Sequence, residues 1–294
     1  MICIFVISSM KRFFFFLTCC IPLFYYSFIS FSAKTTPFIC KEILQNTLAS
    51  IGKIQTLKFH LKVIERFKEK LLSTESQIKM NASPRKVYIY LKGPELLWLE
   101  GKNNGNALVN PAGFPYMNLN LDPMGNIMRE NQHHTVHEAG FDYFGGIIKN
   151  SFGIAGEKFD DYYKCGGILT WDSHECYLIT AEYPEFNYIE YAVQKDEDLV
   201  TISRKLNVSD YMLLEINSDK VNNYRDVKQN QKIKVPNVYG KKMILYIDKE
   251  LLVPRVIKVY DEKGLFESYE YYDLEVNSKI PDEEFTKEFK GYKF

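Results

Sequence analysis

From Leu57 the chain alternates, with Leu57, Phe59, Leu61 and Val63 interleaved with Lys58, His60 and Lys62. A period of two marks a strand with one buried face, and this pattern constrains the fold more than any other feature. It returns over residues 75–80, 85–92, 96–100 and 107–109, then near 159–165, 175–181, 243–248, 253–261 and 265–275. Ser83-Pro84, Gly93-Pro94, Asn103-Asn104-Gly105 and Asn110-Pro111-Ala112-Gly113 supply the turns between the early strands. Helical spacing is confined to a few places. Ile43, Leu44, Leu48 and Ile51 mark a helix over 38–52 that stops at Gly52, and Val136, Phe141, Phe144, Ile147 and Ile148 mark one around 134–149. The order predicts an α+β protein built on an antiparallel curved sheet or open half-barrel, with an N-terminal helix and one interior helix. No alternating strand–helix units suggest a parallel doubly wound sheet.

Ahead of the first helix, Lys11 and Arg12 precede an apolar run over 13–29, no acid occurs before Glu42, and Ser30-Phe31-Ser32-Ala33 close the run with small residues. That is the order of a secretory signal, so residues 1–33 are expected to be a cleaved signal peptide and the protein to be exported to the periplasm or cell envelope. The run is long enough that an uncleaved membrane anchor is the alternative. The whole chain has 37 Lys+Arg against 37 Asp+Glu; loss of Lys11 and Arg12 leaves 35 against 37, a net charge of −2. Neither balance supplies the basic surplus that nucleic-acid binding needs. Cys40, Cys165 and Cys176 stay behind, an odd number. If the turn between the last two centres near Thr170-Trp171, Cys165 and Cys176 lie opposite each other and can bridge; if it sits at Asp172-Ser173, they do not meet.

Residues 191–236 read differently from the meander. Tyr191-Ala192-Val193 is a short strand. Asp198 can cap a helix carrying Leu199, Ile202 and Leu206 that closes at Asn207, and Ser209 can cap a second with Leu213, Leu214 and Ile216. Ile233 and Val235 mark a closing strand. The sequence Tyr191-x-Val193, Asp198-Leu199-x-x-Ile202-Ser203-x-x-Leu206-x-Val208-Ser209, Leu214-x-x-Asn217 and Gln231-x-Ile233-x-Val235-Pro236 resembles the LysM family of glycan-binding modules. It departs from the family at the first turn, Asp196-Glu197-Asp198, and before the last strand, Gln229-Asn230. The resemblance implies a shallow groove for peptidoglycan or a chitin-like polymer of N-acetylglucosamine, formed by Asp196, Asp198, Leu199 and Val200 against Asn217, Val221 and Asn222, with Leu199 and Val221 as its apolar wall. Strands continue after Pro236, so the module is expected as an insert dividing a larger domain into residues 34–190 and 237–294.

That larger domain resembles an uncharacterised bacterial envelope family related to the LolA-type lipoprotein carriers. The resemblance lies in Ser83-Pro84-x-x-Val87-Tyr88, Glu95-Leu96-Leu97-Trp98-Leu99-Glu100-Gly101, Ala107-Leu108-Val109-Asn110-Pro111, Leu121-Asp122-Pro123-x-Gly125 and Gly140-Phe141. It implies an unclosed barrel whose concave face holds acyl chains of a lipid or lipoprotein. The 21 Tyr and 21 Phe would then line a cavity; the alternative is that they fill an ordinary core.

Chemistry has one local candidate, His133-His134-Thr135-Val136-His137-Glu138. His133 and His137 are one helical turn apart, a metal-ligand spacing, but the His-Glu-x-x-His order is missing and no third ligand stands nearby, so solvated or capping histidines and no metal are expected. No Gly-x-Ser-x-Gly elbow, phosphate loop or dinucleotide fingerprint occurs, and Asp160-Asp161 and Glu283-Glu284 are adjacent and point apart. The leading expectation is a non-enzymatic, cofactor-free envelope protein that binds peptidoglycan. A periplasmic carrier of lipid or acylated protein comes next, and a cell-wall glycan hydrolase third.

Overall fold

Helix α1 (Cys40–Ile51) opens the part of this computed structural model that is described, residues 40–294, and turns Ile43, Leu44, Thr47 and Ile51 inward. The segment expected to be a signal lies outside the described residues. The alternation from Leu57 becomes β1 (Thr56–Phe67), which turns at Lys68-Glu69 into β2 (Lys70–Ala82) with unbroken register from Phe67↔Lys70 to Thr56↔Asn81. The meander continues through β3 (Arg85–Tyr90), β4 (Glu95–Leu99), β5 (Ala107–Asn110) and β6 (Leu119–Leu121). Helices α2 (Asn126–Arg129), α3 (Asp142–Ala155) and α4 (Phe159–Tyr162) lead to β7 (Tyr163–Trp171) and β8 (His174–Glu182). After a separate group, β9 (Tyr188–Ala192), α5 (Leu199–Leu206), α6 (Asp210–Ile216) and β10 (Lys232–Pro236), the chain returns as β11 (Lys242–Asp248), β12 (Pro254–Asp261) and β13 (Gly264–Val276).

Among the described residues, eleven strands make one curved, open antiparallel sheet in the order β6-β5-β4-β3-β2-β1-β13-β12-β11-β8-β7. The α+β expectation therefore holds. Its central seam joins the two ends of the chain: β1 pairs with β13 from Leu57↔Val276 to Glu65↔Glu267. The main core lies between the sheet and α1, α3 and α4, with Leu44, Leu57, Phe141, Ile148 and Phe266 almost wholly buried.

Two expectations about helices change. The helix around 134–149 is a single 3-10 turn at Val136–Glu138 followed by α3 from Asp142. Gly140, at φ 104, separates that turn from α3, and Thr135, extended at φ −95 and ψ 167, starts the turn only after His133, so His133 and His137 share no helix. Residues 159–162, expected as strand, are α4, because Phe159 and Tyr162 are buried one turn apart while Asp160 and Asp161 face outward.

The disulfide expectation is also corrected. The β7–β8 turn sits at Asp172-Ser173, both at positive φ, which places Cys176 opposite Leu169 and Cys165 opposite Ile179. Cys165 bonds Cys40 instead, with Cα atoms 5.6 Å apart, tying α1 to β7; Cys176 is buried and free.

The β9–α5–α6–β10 group follows its local signals closely. Asp198 caps α5 by accepting from Thr201 N at 2.7 Å, Asn207 closes it in the left-handed conformation, and the Ser209 hydroxyl caps α6 by accepting from Met212 N. β9 and β10 pair apart from the large sheet, around a core of Val193, Leu199, Ile202, Leu213, Val221 and Ile233. The described residues, 40–294, nevertheless fall in one compact unit. No helix among the described residues is long and apolar enough to cross a membrane.

Candidate functional site

Not every inward residue of the sheet reaches packed core. Every second residue of β1 from Phe59 to Glu65 lines a cavity of about 330 Å³. Their register partners line it too: Ile78, Ser76 and Thr74 on β2, and Tyr271, Tyr269 and Glu267 on β13. Ile89, Leu96 and Val109 extend the apolar wall, and Phe144 and Ile147 of α3 close it from above with Met128 and Val136. Leu61 and Val63 are only half-buried because they face this space.

The lining changes character along the strands. Around Phe59, Ile78 and Ile89 it is apolar; around Glu65 and Glu267 it is polar, with His134, Glu138, Tyr143, Tyr239 and Tyr269. The polar end is dense in hydrogen bonds. Tyr269 donates to Glu65 at 2.8 Å and Tyr239 to Glu267 at 2.7 Å. His133 lies 1% exposed, stacked against the rings of Tyr211 and Phe266, each 4.4 Å away. Its Nδ1 meets Glu267 at 3.0 Å, its Nε2 meets the Arg66 carbonyl at 2.9 Å, and its backbone N–H donates to Glu65 at 3.2 Å. His134 spans two carboxylates, with Nδ1 3.2 Å from Glu138 and Nε2 3.4 Å from Glu267.

These contacts set the charges. Burial opposes a proton on His134, but its bonds to Glu138 and Glu267 outweigh that and hold its pKa well above the usual histidine value. Burial likewise opposes charge on Glu138, yet His134, Arg204 and the Thr135 N–H bring its pKa down to about 2. Glu267 is held well below the carboxylate range by His133 and His134 against its own desolvation. Burial and the neighbouring Glu267 push Tyr239 and Tyr269 far above the ordinary phenol value.

Of the histidines expected to be solvated or capping, His133 is enclosed, and its partners come from β1 and β13. His137 points elsewhere, edge-on to Trp98 at 4.7 Å, and burial lowers its pKa. The cluster behind the hydrolase reading is divided between two surroundings. Sequence reasoning missed Glu65 and Glu267. The available signal was parity: Glu65 continues the inward series Phe59, Leu61, Val63, and Glu267 the series Tyr271, Tyr269, so each is an acid on a buried strand face.

The groove residues implied by the LysM resemblance are not brought together as a groove. Leu199 and Val221 are buried in the small group's own core and form no exposed wall. Asn217 is buried, donating to the Leu213 and Lys234 carbonyls and accepting from Lys234 N at 2.7 Å. Asp198 is occupied as a cap, and Asn222 bonds Asp226. Asp196 is exposed at positive φ, and Val200 borders a shallow pocket with Arg204 and His137.

Fold and cavity together give an open antiparallel sheet curved around an apolar space with a charged end. A family model described as "Protein of unknown function (DUF1571)" matches residues 54–149. No curated protein matches the chain. Among solved structures the chain is similar to the Mycobacterium tuberculosis lipoprotein LppX, with 9% identity over 83% of this chain and 99% of that one and a TM-score of 0.39. A LolA superfamily protein from Nitrosomonas europaea is 10% identical over 85% and 98%, with a TM-score of 0.32. MucB in the Pseudomonas aeruginosa MucA/MucB complex is 9% identical over 83% of this chain and 59% of that one, with a TM-score of 0.37. At these values the likenesses extend no function to this chain.

Proposed function

We propose that the protein is an exported carrier that holds an acyl chain of a lipid or an acylated protein in the sheet cavity. The observation that carries this reading is the cavity itself: about 330 Å³, walled by Phe59, Ile78, Ile89, Val109 and Phe144, with its polar groups gathered at one end. Small-molecule sites run from about 300 to 1,000 Å³ and are mostly apolar with a few placed polar groups. An amphipathic cargo matches that division, its chain along Phe59–Ile89 and its head toward His134. Export is supported by the charge and small-residue pattern before residue 34 and by the Cys40–Cys165 bond, which an oxidising compartment sustains.

Each buried methylene contributes about 0.8 kcal/mol. Affinity for a series of fatty acids is therefore expected to rise about tenfold for every two added carbons until the cavity is full. Native mass spectrometry of the purified protein should also show bound acyl species. Flat affinity across the series, with no bound lipid, would rule the carrier out.

A second reading keeps the LysM-like group as a peptidoglycan-binding element, favoured by its strand–helix–helix–strand order and separate two-stranded sheet. With Leu199, Val221 and Asn217 committed to the interior, Asp196, Val200 and Asn222 are the residues left to meet a glycan. The full chain should co-sediment with purified peptidoglycan, and Asp196→Ala with Val200→Lys should release it; equal pelleting of that double variant refutes the reading.

A further inference from the structure

Glu65 and Glu267 stand directly opposite each other in the β1–β13 register, both buried, at 5% and 2% exposure. Like charges facing across a strand pair repel, and burial deepens the cost. No lysine or arginine forms an ion pair with either carboxylate among the described residues. Arg66 is spent on Asp261 and Glu215, and Arg204 on Glu138. Between them stands His133, and one ligand atom from each of Glu65, His133 and Glu267 lies within 4.8 Å of the others.

The surroundings are those of a ligand set held in place from behind. The His133 Nε2 faces the Arg66 carbonyl at 2.9 Å, a bond that fixes the N–H there and turns Nδ1 toward the carboxylates. Tyr269 donates to Glu65 Oε1 and lies 3.2 Å from Glu267 Oε2, and Tyr239 donates to Glu267 Oε1. Tyr211 and Phe266 both stack against the imidazole. Both glutamates also line the cavity, so a fourth ligand has access from it.

The geometry points to Glu65, His133 and Glu267 as a binding site for a divalent transition-metal cation, with Zn²⁺ the best match. One imidazole and two carboxylates suit zinc, while calcium prefers six to eight oxygens and magnesium a hydrated octahedron.

The test uses the full chain after lipid removal and dialysis against a chelator, titrated with ZnCl₂ by calorimetry and by metal analysis after gel filtration. About one zinc per chain is expected, with little uptake of Mg²⁺ or Ca²⁺, and X-ray absorption should report a nitrogen/oxygen shell near 2.0–2.1 Å. Glu65→Gln should weaken binding by at least tenfold. Tyr239→Phe, which leaves all three ligands in place, should weaken it by about tenfold while circular dichroism stays unchanged. No uptake by the wild type, or uptake that neither substitution alters, overturns the site. Because the protein is stripped of lipid, the result is independent of the acyl-carrier reading.

Discussion

At the β11–β12 turn, one Asp248 oxygen accepts from the backbone N–H groups of Glu250 and Leu251 at 2.8 and 2.9 Å, and the other from Arg255 Nε at 2.8 Å. Both side chains are buried. Burial alone would raise the Asp248 pKa, but the two N–H bonds and Arg255 lower it below its usual 3.8. A depressed carboxylate contributes stability that is present above the unfolded-state value and disappears as pH falls through the folded-state value. Asp248→Asn is therefore expected to cost about 3 kcal/mol at pH 7, because Arg255 is left buried without its counter-charge. In urea unfolding across pH, the gap between variant and wild type should close below about pH 3.8; a gap that persists at lower pH contradicts the assignment. Cys40 gives a second residue-level prediction. Its bond closes 125 residues of chain, so Cys40→Ser should lower stability by about 2–4 kcal/mol. A reductant should give the wild type the same lowered melting temperature.

Among the elements, the β9–α5–α6–β10 group shows how local order and tertiary docking differ. Its caps and apolar spacing are short-range, and each is where the sequence places it. Its attachment to the sheet domain is not short-range. Arg129 of α2 makes a two-point pair with Asp210 of α6, at 2.9 and 2.7 Å, and stacks 4.0 Å over Tyr224. Tyr211 covers His133, and Met212 belongs to the main core. Asp210→Ala strands a buried guanidinium and should cost about 3–5 kcal/mol. Trp98 and Trp171 lie outside the group, so tryptophan fluorescence and far-ultraviolet dichroism should report one coincident transition in the wild type. A separate early transition for the group would show that it stands alone.

Across the whole molecule, the β1–β13 seam forms the cavity, because it places the inward parity of two distant strands against one space. Leu61 and Ile89 face that space and are not tightly packed. Leu61→Trp and Ile89→Trp should fill it, lowering fatty-acid affinity more than tenfold in a fluorescent displacement assay. Their melting temperatures should stay within a few degrees of wild type, since the added volume enters a void and not a packed core. Retained affinity in both variants would show that the cargo binds elsewhere.

The sequence by itself determined most of the strands, most turns, the first helix and both caps of the small group. Periodicity and capping involve residues within a few positions of each other, so they survive in one dimension. It also marked residues 133–138 as chemically rich, but it joined His133 to His137, its neighbour in sequence. Only the tertiary structure decided that Cys165 pairs with Cys40, that Leu199 and Val221 are core, and that His133 meets Glu65 and Glu267. The first and last join residues more than sixty positions apart, and the second depends on how the two helices and two strands of the small group pack together, which no local pattern encodes. The aromatics divide the same way: Phe59, Tyr143 and Tyr271 line the cavity while Phe266 fills core, because the curvature of the sheet, not composition, sets where packing stops.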